Sequence, residues 1–422
     1  MPQITPGRVH EVGLNSYQLY VPDSHTEHSR VVVVVHGETQ RDQDVPALAQ
    51  RFIDRWRTFA ENTSTVIVAP AFGQLDFGSH GDGFGGYRGL HGRVMGADEF
   101  VESILVQVGH ITGVPTAGRR FFLYGHSAGG QFANRFLVRH PDRVIAAVLS
   151  APGRYAFPDP DAHWHFGMGR LHHEAHWELA GETQALDIRP DPEGWVEAAT
   201  RPVTVVVGDE DTAPQPCRPA HCEDGWGESA TRIQIGRRWV ERMNDLAERN
   251  GRRGRVGFRL IPGAGHDSAA LTDACQDALL PHVTPAVPDL VGLSEHLAED
   301  ALDEVLLRAR ITRRLGDGPR GAVLAQRPAA GTPAVIGTTV TIDVSLGERE
   351  PGNPRRVPDV VGMRDTDAIV ALQADGFTTS LAFADDGRPR GQIIAQRPGA
   401  GERAQPGSEV ALVASKGAFD PK

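Results

Sequence analysis

The stretch Phe121-Phe122-Leu123-Tyr124-Gly125-His126-Ser127-Ala128-Gly129-Gly130-Gln131 organises this chain. Its apolar first half reads as a buried strand that stops at Gly125. A helix-compatible run over residues 128–138 begins at once. Ser127 stands between the two, inside Gly125-His126-Ser127-Ala128-Gly129. A strand that becomes a helix within so few residues forces the central residue into a strained backbone conformation. Small residues two before and two after it keep strand and helix from clashing. The strain lifts the Ser127 hydroxyl clear of the sheet edge. The backbone N–H of Ala128, at the helix N-terminus, then points to where negative charge can develop.

Outward from this turn, apolar runs alternate with amphipathic ones. Residues 8–23 alternate weakly, as an opening antiparallel hairpin would. Residues 31–35 are five consecutive valines, as expected of a parallel strand buried on both faces. Residues 44–61 read as a helix with Ala47, Phe52, Trp56 and Phe59 on or near one face, and residues 65–71 as a second buried strand. A long glycine-rich loop over residues 73–93 carries Phe77, Phe84 and Tyr87. A helix over 97–111 precedes the Phe121 strand, and residues 144–149 are the next strand. Residues 153–200, rich in Pro, His and Trp, break the alternation and read as a cap above the sheet. It resumes with a strand at 203–207, a helix at about 229–249, a strand at 256–261 and a closing helix at about 267–281. This order indicates an α/β fold with a mostly parallel, doubly wound sheet, whose sites gather at the carboxyl ends of the strands.

Three residues at such ends complete a chemistry. A serine hydroxyl is a poor nucleophile at neutral pH and needs a base, and the base needs an orienter. Ser127, Asp211 and His266 follow in that chain order, each just after a strand. His266, in Gly263-Ala264-Gly265-His266, would take the Ser127 proton, and Asp211 would hold the imidazole in the right tautomer. Asp209 competes for the acid's place; strand–Gly-x-x-Asp is the commoner spacing and favours Asp211. Asp267 is expected to cap the following helix. A second oxyanion donor is expected from the loop after residue 35, with Glu38 N–H first and Thr39 next, the Glu38 side chain facing solvent.

The 422 residues suggest two or three domains. A net charge of −11 argues against nucleic acid as a partner. Lys416 and Lys422 are the only lysines, a bias toward Arg that carries no function. Three cysteines, Cys217, Cys222 and Cys275, make no disulfide framework; Cys217 and Cys222 share one polar loop and are close enough in sequence to pair. Residues 1–20 contain no apolar core segment, so no classical signal peptide is expected, and the longest strongly apolar run, residues 31–35, is too short to span a bilayer. The cap histidines His163, His165, His172, His173 and His176 are read as solvated or hydrogen-bonded. His172 and His176 have the i, i+4 spacing of a helical metal pair but lack the intervening His-Glu pattern, so no metal is expected. Among the cap aromatics, Tyr155, Trp164 and Trp177 are the candidate substrate contacts, with Thr39 from the loop after residue 35.

The features His36-Gly37, the Gly125–Gly130 turn, Gly208-x-x-Asp211 and Gly265-His266 resemble those of α/β-hydrolases. Residues 1–284 are most similar to the esterases grouped with polyhydroxyalkanoate depolymerases. The resemblance implies an acyl-enzyme on Ser127, an ester substrate that is small or polymeric, and no cofactor. An amidase or peptidase could use the same triad, and an inactive binding protein is the reading from another class.

Residues 287–347 and 357–417 repeat one another at an offset of 70 residues. Val287-Pro288-Asp289 matches Val357-Pro358-Asp359, Ala325-Gln326-Arg327-Pro328 matches Ala395-Gln396-Arg397-Pro398, and Gly292, Gly321, Gly331 and Gly337 match Gly362, Gly391, Gly401 and Gly407. Both copies resemble the PASTA module, a small α+β unit. That resemblance implies a possible peptidoglycan or cell-wall ligand, or else a spacer. It also points outside the cytoplasm, whereas the lack of a signal peptide points to the cytoplasm. Residues 348–356, charged and rich in Pro and Gly, read as a linker between semi-independent units.

Overall fold

The structure is a computed structural model that describes residues 5–12, 16–40, 43–78, 86–114, 119–216, 229–316, 318–347 and 354–417. Phe84, Cys217, Cys222 and most of the linker lie outside the described residues. Two compact units result: one comprises Met1–Asp289, Glu299–Ala309 and Pro328–Val340, the other Leu290–Ala298, Arg310–Arg327 and Thr341–Lys422.

The first unit is built on an eight-stranded sheet. In chain order its framework is β1 (Val9–Val12), β2 (Tyr17–Tyr20), β3 (Val31–Val35), α1 (Val45–Thr63), β4 (Val66–Pro70), α2 (Gln74–Phe77), α3 (Ala97–Thr112), β5 (Phe121–His126), α4 (Ala128–Arg139), β6 (Val144–Ser150), β7 (Leu171–Trp177), β8 (Glu182–Ile188), α5 (Pro192–Thr200), β9 (Val203–Gly208), β10 (Pro214–Pro216), β11 (Ser229–Thr231), α6 (Arg232–Arg249), β12 (Val256–Ile261) and α7 (Ser268–Val283). The sheet order is β1-β2-β4-β3-β5-β6-β9-β12. The opening hairpin is antiparallel and joins β4 antiparallel, and every pairing from β4 to β12 is parallel.

The valine run explains how the sheet sits. Side chains alternate across a strand, and here both faces are dry. Val31, Val33 and Val35 face a core that also holds residues of α3, α4, α5 and α6. Val32 and Val34 face a second core with α1 and α7. Helix α1 starts at an Asp44 cap, whose side chain accepts from the Ala47 N–H, and ends at Ser64 in the left-handed region.

The segment over residues 153–200 holds no helical histidine pair. Residues 171–177 form strand β7, antiparallel to β8. Leu171, Ala175 and Trp177 point inward while His172, Glu174 and His176 are exposed. On a strand, His172 and His176 lie about 13 Å apart, too far to share an ion. Among the described residues no cluster of metal-ligating side chains exists. Helix α5 ends the segment. Its Trp195 and Ala198 are fully buried in the core shared with α4 and α6, so α5 serves as the sheet's crossover helix before β9.

The C-terminal copies fold alike. The first contains α8 (Glu295–Glu304), β13 (Arg308–Arg314), β14 (Val323–Arg327) and β15 (Thr339–Ser345). The second contains β16 (Arg355–Arg356), α9 (Asp365–Ala374), β17 (Thr378–Ala384), β18 (Ile393–Arg397), β19 (Arg403–Ala404) and β20 (Glu409–Ser415). Each has a three-stranded sheet, β13-β15-β14 and β17-β20-β18. The repeated residues do the same work twice. Gln326 accepts from the Leu290 N–H at 2.7 Å and Gln396 from the Val360 N–H at 2.8 Å, tying each Val-Pro-Asp start to a strand. The matched glycines Gly292 and Gly362 have φ of 87° and 92°, a conformation in which a side chain is strained. Among the described residues no helix is long and apolar enough to cross a membrane.

Candidate active site

The turn at Ser127 is as tight as its glycines imply. Ser127 has φ 54° and ψ −113°, a region that costs an L-residue about 1–3 kcal/mol. A Cβ on Gly125 would stand 2.0 Å from the Gly129 carbonyl oxygen, and one on Gly129 would stand 2.3 Å from the Val35 carbonyl oxygen. Neither position accepts a side chain. The Ser127 N–H donates to the Ser150 carbonyl at 2.8 Å, which anchors the turn to the end of β6.

The loops after β9 and β12 are held together by backbone. Gly208 abuts the Ala264 carbonyl, where a Cβ would lie 2.0 Å away. The Glu210 N–H donates to that carbonyl at 3.0 Å. Asp209 accepts from the Gly263 N–H at 2.8 Å, so its carboxylate fixes the glycine turn before His266. Asp211 takes the other role: its Oδ2 lies 2.8 Å from His266 Nδ1. His266 Nε2 lies 3.0 Å from Ser127 Oγ. An ionised carboxylate only accepts, so Nδ1 carries the proton and Nε2 accepts from the serine. Asp267 caps α7 through the Ala269 N–H at 3.0 Å.

Electrostatics favour this arrangement. Burial alone would raise the Asp211 carboxyl, but the His266 hydrogen bond and the Arg232 charge outweigh it and hold it below the usual carboxylate value. Arg232 Nη1 lies 2.7 Å from Asp211 Oδ1. His126, beside Ser127 in sequence, is buried and driven down to about 3, chiefly by desolvation and next by His266. Its ring centroid is 5.1 Å from that of His266. It therefore adds no charge beside the His266 ring at neutral pH.

The loop after β3 reaches the serine: a Cβ on Gly37 would be 3.7 Å from Ser127 Cβ. His36 is buried and pushed down to about 4 by desolvation. Its Nε2 accepts from the Phe72 N–H at 3.2 Å, so Nδ1 is protonated and donates to the Gly37 carbonyl at 2.8 Å. The Tyr87 hydroxyl donates to the same carbonyl at 2.7 Å, with the Tyr87 ring stacked on Phe72 at 4.7 Å. Gly37 C=O and Glu38 N–H share one trans peptide and point in opposite directions. Two donors on the carbonyl thus fix the direction of the Glu38 N–H. The Glu38 side chain is exposed and pairs with Arg88 at 3.1 Å. Thr39 is buried, and its hydroxyl and carbonyl both accept from Gln74 at 2.5 Å.

The three cap aromatics are placed otherwise than as substrate contacts. Tyr155 is fully buried and stacks on Trp239 at 5.2 Å. Trp164 is 1% exposed and packs in the main core. Trp177 packs with Ala175 and Leu186 in the β7–β8 hairpin. Apolar area is worth most when removed from water, and these rings are already removed without a ligand. Arg232, which meets Asp211, and Tyr87, which meets the Gly37 carbonyl, are contacts that the sequence did not single out for the candidate site. Nothing in the local sequence marks Arg232 among so many arginines, whereas Tyr87 was visible as an aromatic in a glycine-rich loop.

Residues 77–186 match the family described as serine aminopeptidase, S33, and residues 285–346 and 355–416 match the PASTA domain. The chain is similar to a probable serine/threonine-protein kinase of Clostridium acetobutylicum, 27% identical over 135 residues, which are 31% of this chain and 20% of the kinase. It is similar to the serine/threonine-protein kinase PknB of Mycolicibacterium smegmatis, 31% identical over 137 residues, 32% of this chain and 21% of the kinase. The chain thus spans about a fifth of the length of these curated relatives. Among solved structures it resembles LpqC, a poly(3-hydroxybutyrate) depolymerase from Bordetella parapertussis, with 23% identity, 62% of this chain and 82% of that chain covered, and a TM-score of 0.47. It also resembles poly(aspartic acid) hydrolase-1 from Sphingomonas sp. KT-1, with 21% identity, 62% and 91% covered, and a TM-score of 0.46. The two family matches, taken with the sheet order and the turn at Ser127, identify an α/β-hydrolase domain followed by two PASTA domains.

Proposed function

We propose that the protein is a serine hydrolase that cleaves carboxylic esters through an acyl-enzyme on Ser127. The observation that carries this reading is the relay Ser127 Oγ to His266 Nε2 at 3.0 Å and His266 Nδ1 to Asp211 Oδ2 at 2.8 Å. In the proposed mechanism Ser127 Oγ attacks the ester carbonyl as its proton passes to His266 Nε2. Asp211 stabilises the imidazolium without taking the proton. The oxyanion is held by the N–H groups of Ala128 and Glu38, aimed at where charge develops. Collapse expels the alcohol, which takes the proton from His266. Water then enters, loses its proton to the same nitrogen and releases the acid, restoring the Ser127 hydroxyl.

The proposed division of the chain is a hydrolase domain over residues 1–284, its cap at about 153–200, and PASTA domains at 287–347 and 357–417. In this reading the PASTA domains localise the enzyme on a cell-wall ligand, and the substrate is a small or polymeric ester. The experiment is a panel of acyl-chain p-nitrophenyl esters, polyester particles and muropeptides, with intact-mass detection of the acyl-enzyme. Turnover of esters with a Ser127-bound acyl group supports the reading. Turnover of muropeptides alone would make the protein an amidase or peptidase. If removing the PASTA domains changes activity on neither soluble nor particulate substrate, they are spacers.

A further inference from the structure

The Asp211 carboxylate is nearly sealed, with its side chain 1% exposed. Its Oδ2 is used by His266 and its Oδ1 by Arg232 at 2.7 Å. His266 offers the carboxylate one hydrogen bond, from Nδ1. A buried carboxylate without a cation is costly. Arg232 is the cation that meets it.

The position of Arg232 has no local explanation. It is the first residue of α6, where the helix dipole disfavours a cation. Its Nε is buried with no hydrogen-bond partner, a further cost. Both costs stand against the helix, and the ion pair with Asp211 offsets them. Delivery is built into the fold. Strand β10 begins shortly after Asp211 and β11 ends at Thr231, and the two pair antiparallel with Pro214 opposite Thr231. The ladder therefore brings the residues flanking it, Asp211 and Arg232, to the same end. Thr231 then caps α6 in a box with Gln234, which fixes the direction in which the Arg232 side chain leaves. The other acids nearby are engaged elsewhere: Asp209 on Gly263 and Asp267 on Ala269.

We propose that Arg232 is a positioning residue of the hydrolase site: it holds the Asp211 carboxylate ionised and oriented so that His266 presents Nε2 to Ser127. The inference rests on the serine-hydrolase reading above. Its mutation acts on the reaction step and leaves reagent binding alone, because Arg232 touches Asp211 and not the serine. Burial by itself would raise the Asp211 carboxyl, and the Arg232 charge is among the causes that hold it below its usual value.

The test is the saturable rate at which a fluorophosphonate labels the full chain, read as a maximal rate and a half-saturating concentration. Arg232→Met should lower the maximal rate about 100-fold, within the range lost when a general base is misplaced, with half-saturation unchanged within about twofold. Arg232→Lys should retain a rate between the two, because one ammonium supplies charge without the planar fork. Ethylguanidinium in solution should restore part of the Arg232→Met rate, which a purely structural role would not allow. Arg232→Gln stands in if the methionine variant does not fold. Labelling of Arg232→Met at nearly the wild-type rate, or a slow rate indifferent to both lysine and ethylguanidinium, overturns the inference alone. A wild-type chain that is not labelled at all overturns the hydrolase reading and this inference with it.

Discussion

Mild acid should destabilise the hydrolase domain before its depressed carboxyls protonate, because three histidines are buried neutral. Burial holds His36 down at about 4 and His126 at about 3, and desolvation followed by Arg135 holds His165 well below its ordinary value. In the unfolded chain each returns to about 6.5. Above pH 6.5 both states are neutral and the groups are silent. Below it the unfolded state binds protons that the native state refuses, so stability falls as pH falls, until the native groups titrate near pH 4 and below. Each histidine contributes a slope of about 1.4 kcal/mol per pH unit. Between pH 7 and pH 5 that is about 2 kcal/mol each and about 5–6 kcal/mol together, comparable to a domain's whole stability. His282, lowered by partial burial and by Arg255, adds a smaller share. The depressed carboxyls Asp98 and Asp211 work in the same direction only below about pH 4, where their unfolded forms begin to protonate. The assay is urea unfolding by tryptophan fluorescence at several pH values. All six tryptophans lie before residue 240, so the signal reports the hydrolase domain. The midpoint should fall by about 2 M urea between pH 7 and pH 5, taking a slope of about 3 kcal/mol/M. His126→Gln should remove about a third of that pH dependence. A midpoint flat across this range, or a His126→Gln chain with undiminished dependence, would refute the burial argument.

Two further outcomes follow from the same geometry. Asp211→Asn should cut turnover about 10⁴-fold, because an amide can donate to His266 Nδ1 and select the wrong tautomer; Asp209→Asn should cost less than tenfold, since an amide oxygen still accepts from Gly263, and the opposite ranking in steady-state assays would exchange the two acids' roles. A chain ending at Thr284 should keep its turnover on a soluble ester within about threefold yet lose about 2 kcal/mol, because it loses Ile336, which is 4% exposed and donates its N–H to the Val283 carbonyl at 3.2 Å; a thermal melt lowered by about 5 °C with turnover intact is expected, and loss of turnover would make the repeats part of the catalytic fold.

The parts of the site that sequence made legible are those written in local sterics. Gly125 and Gly129 are unavoidable because a Cβ at either meets backbone, so the turn announces itself. The valine run of β3 announces a sheet buried on both faces for the same local reason. Asp211, His266 and the capping Asp267 follow from strand ends. The residues that escaped depend on what folding brings near. Arg232 meets Asp211 beside the β10–β11 ladder, and no spacing encodes that. The histidine pair in residues 171–177 matched a helix period, while the alternation of Leu171, Ala175 and Trp177 inward is a strand's. The cap position of Tyr155, Trp164 and Trp177 suggests substrate contacts, but an aromatic ring's partner is a tertiary matter: Tyr155 and Trp164 pack in the main core and Trp177 in the β7–β8 hairpin. The two PASTA copies were legible because each matched glycine or glutamine holds a turn that the other copy also needs.

The most direct measurement is the site of covalent modification by a fluorophosphonate, mapped by peptide mass spectrometry on the full chain at neutral pH. One stoichiometric adduct is expected on Ser127 and none in Ser127→Ala, a variant that keeps its tryptophan fluorescence and unfolding midpoint. An adduct on another residue, or equal labelling of Ser127→Ala, would contradict Ser127 as the nucleophile.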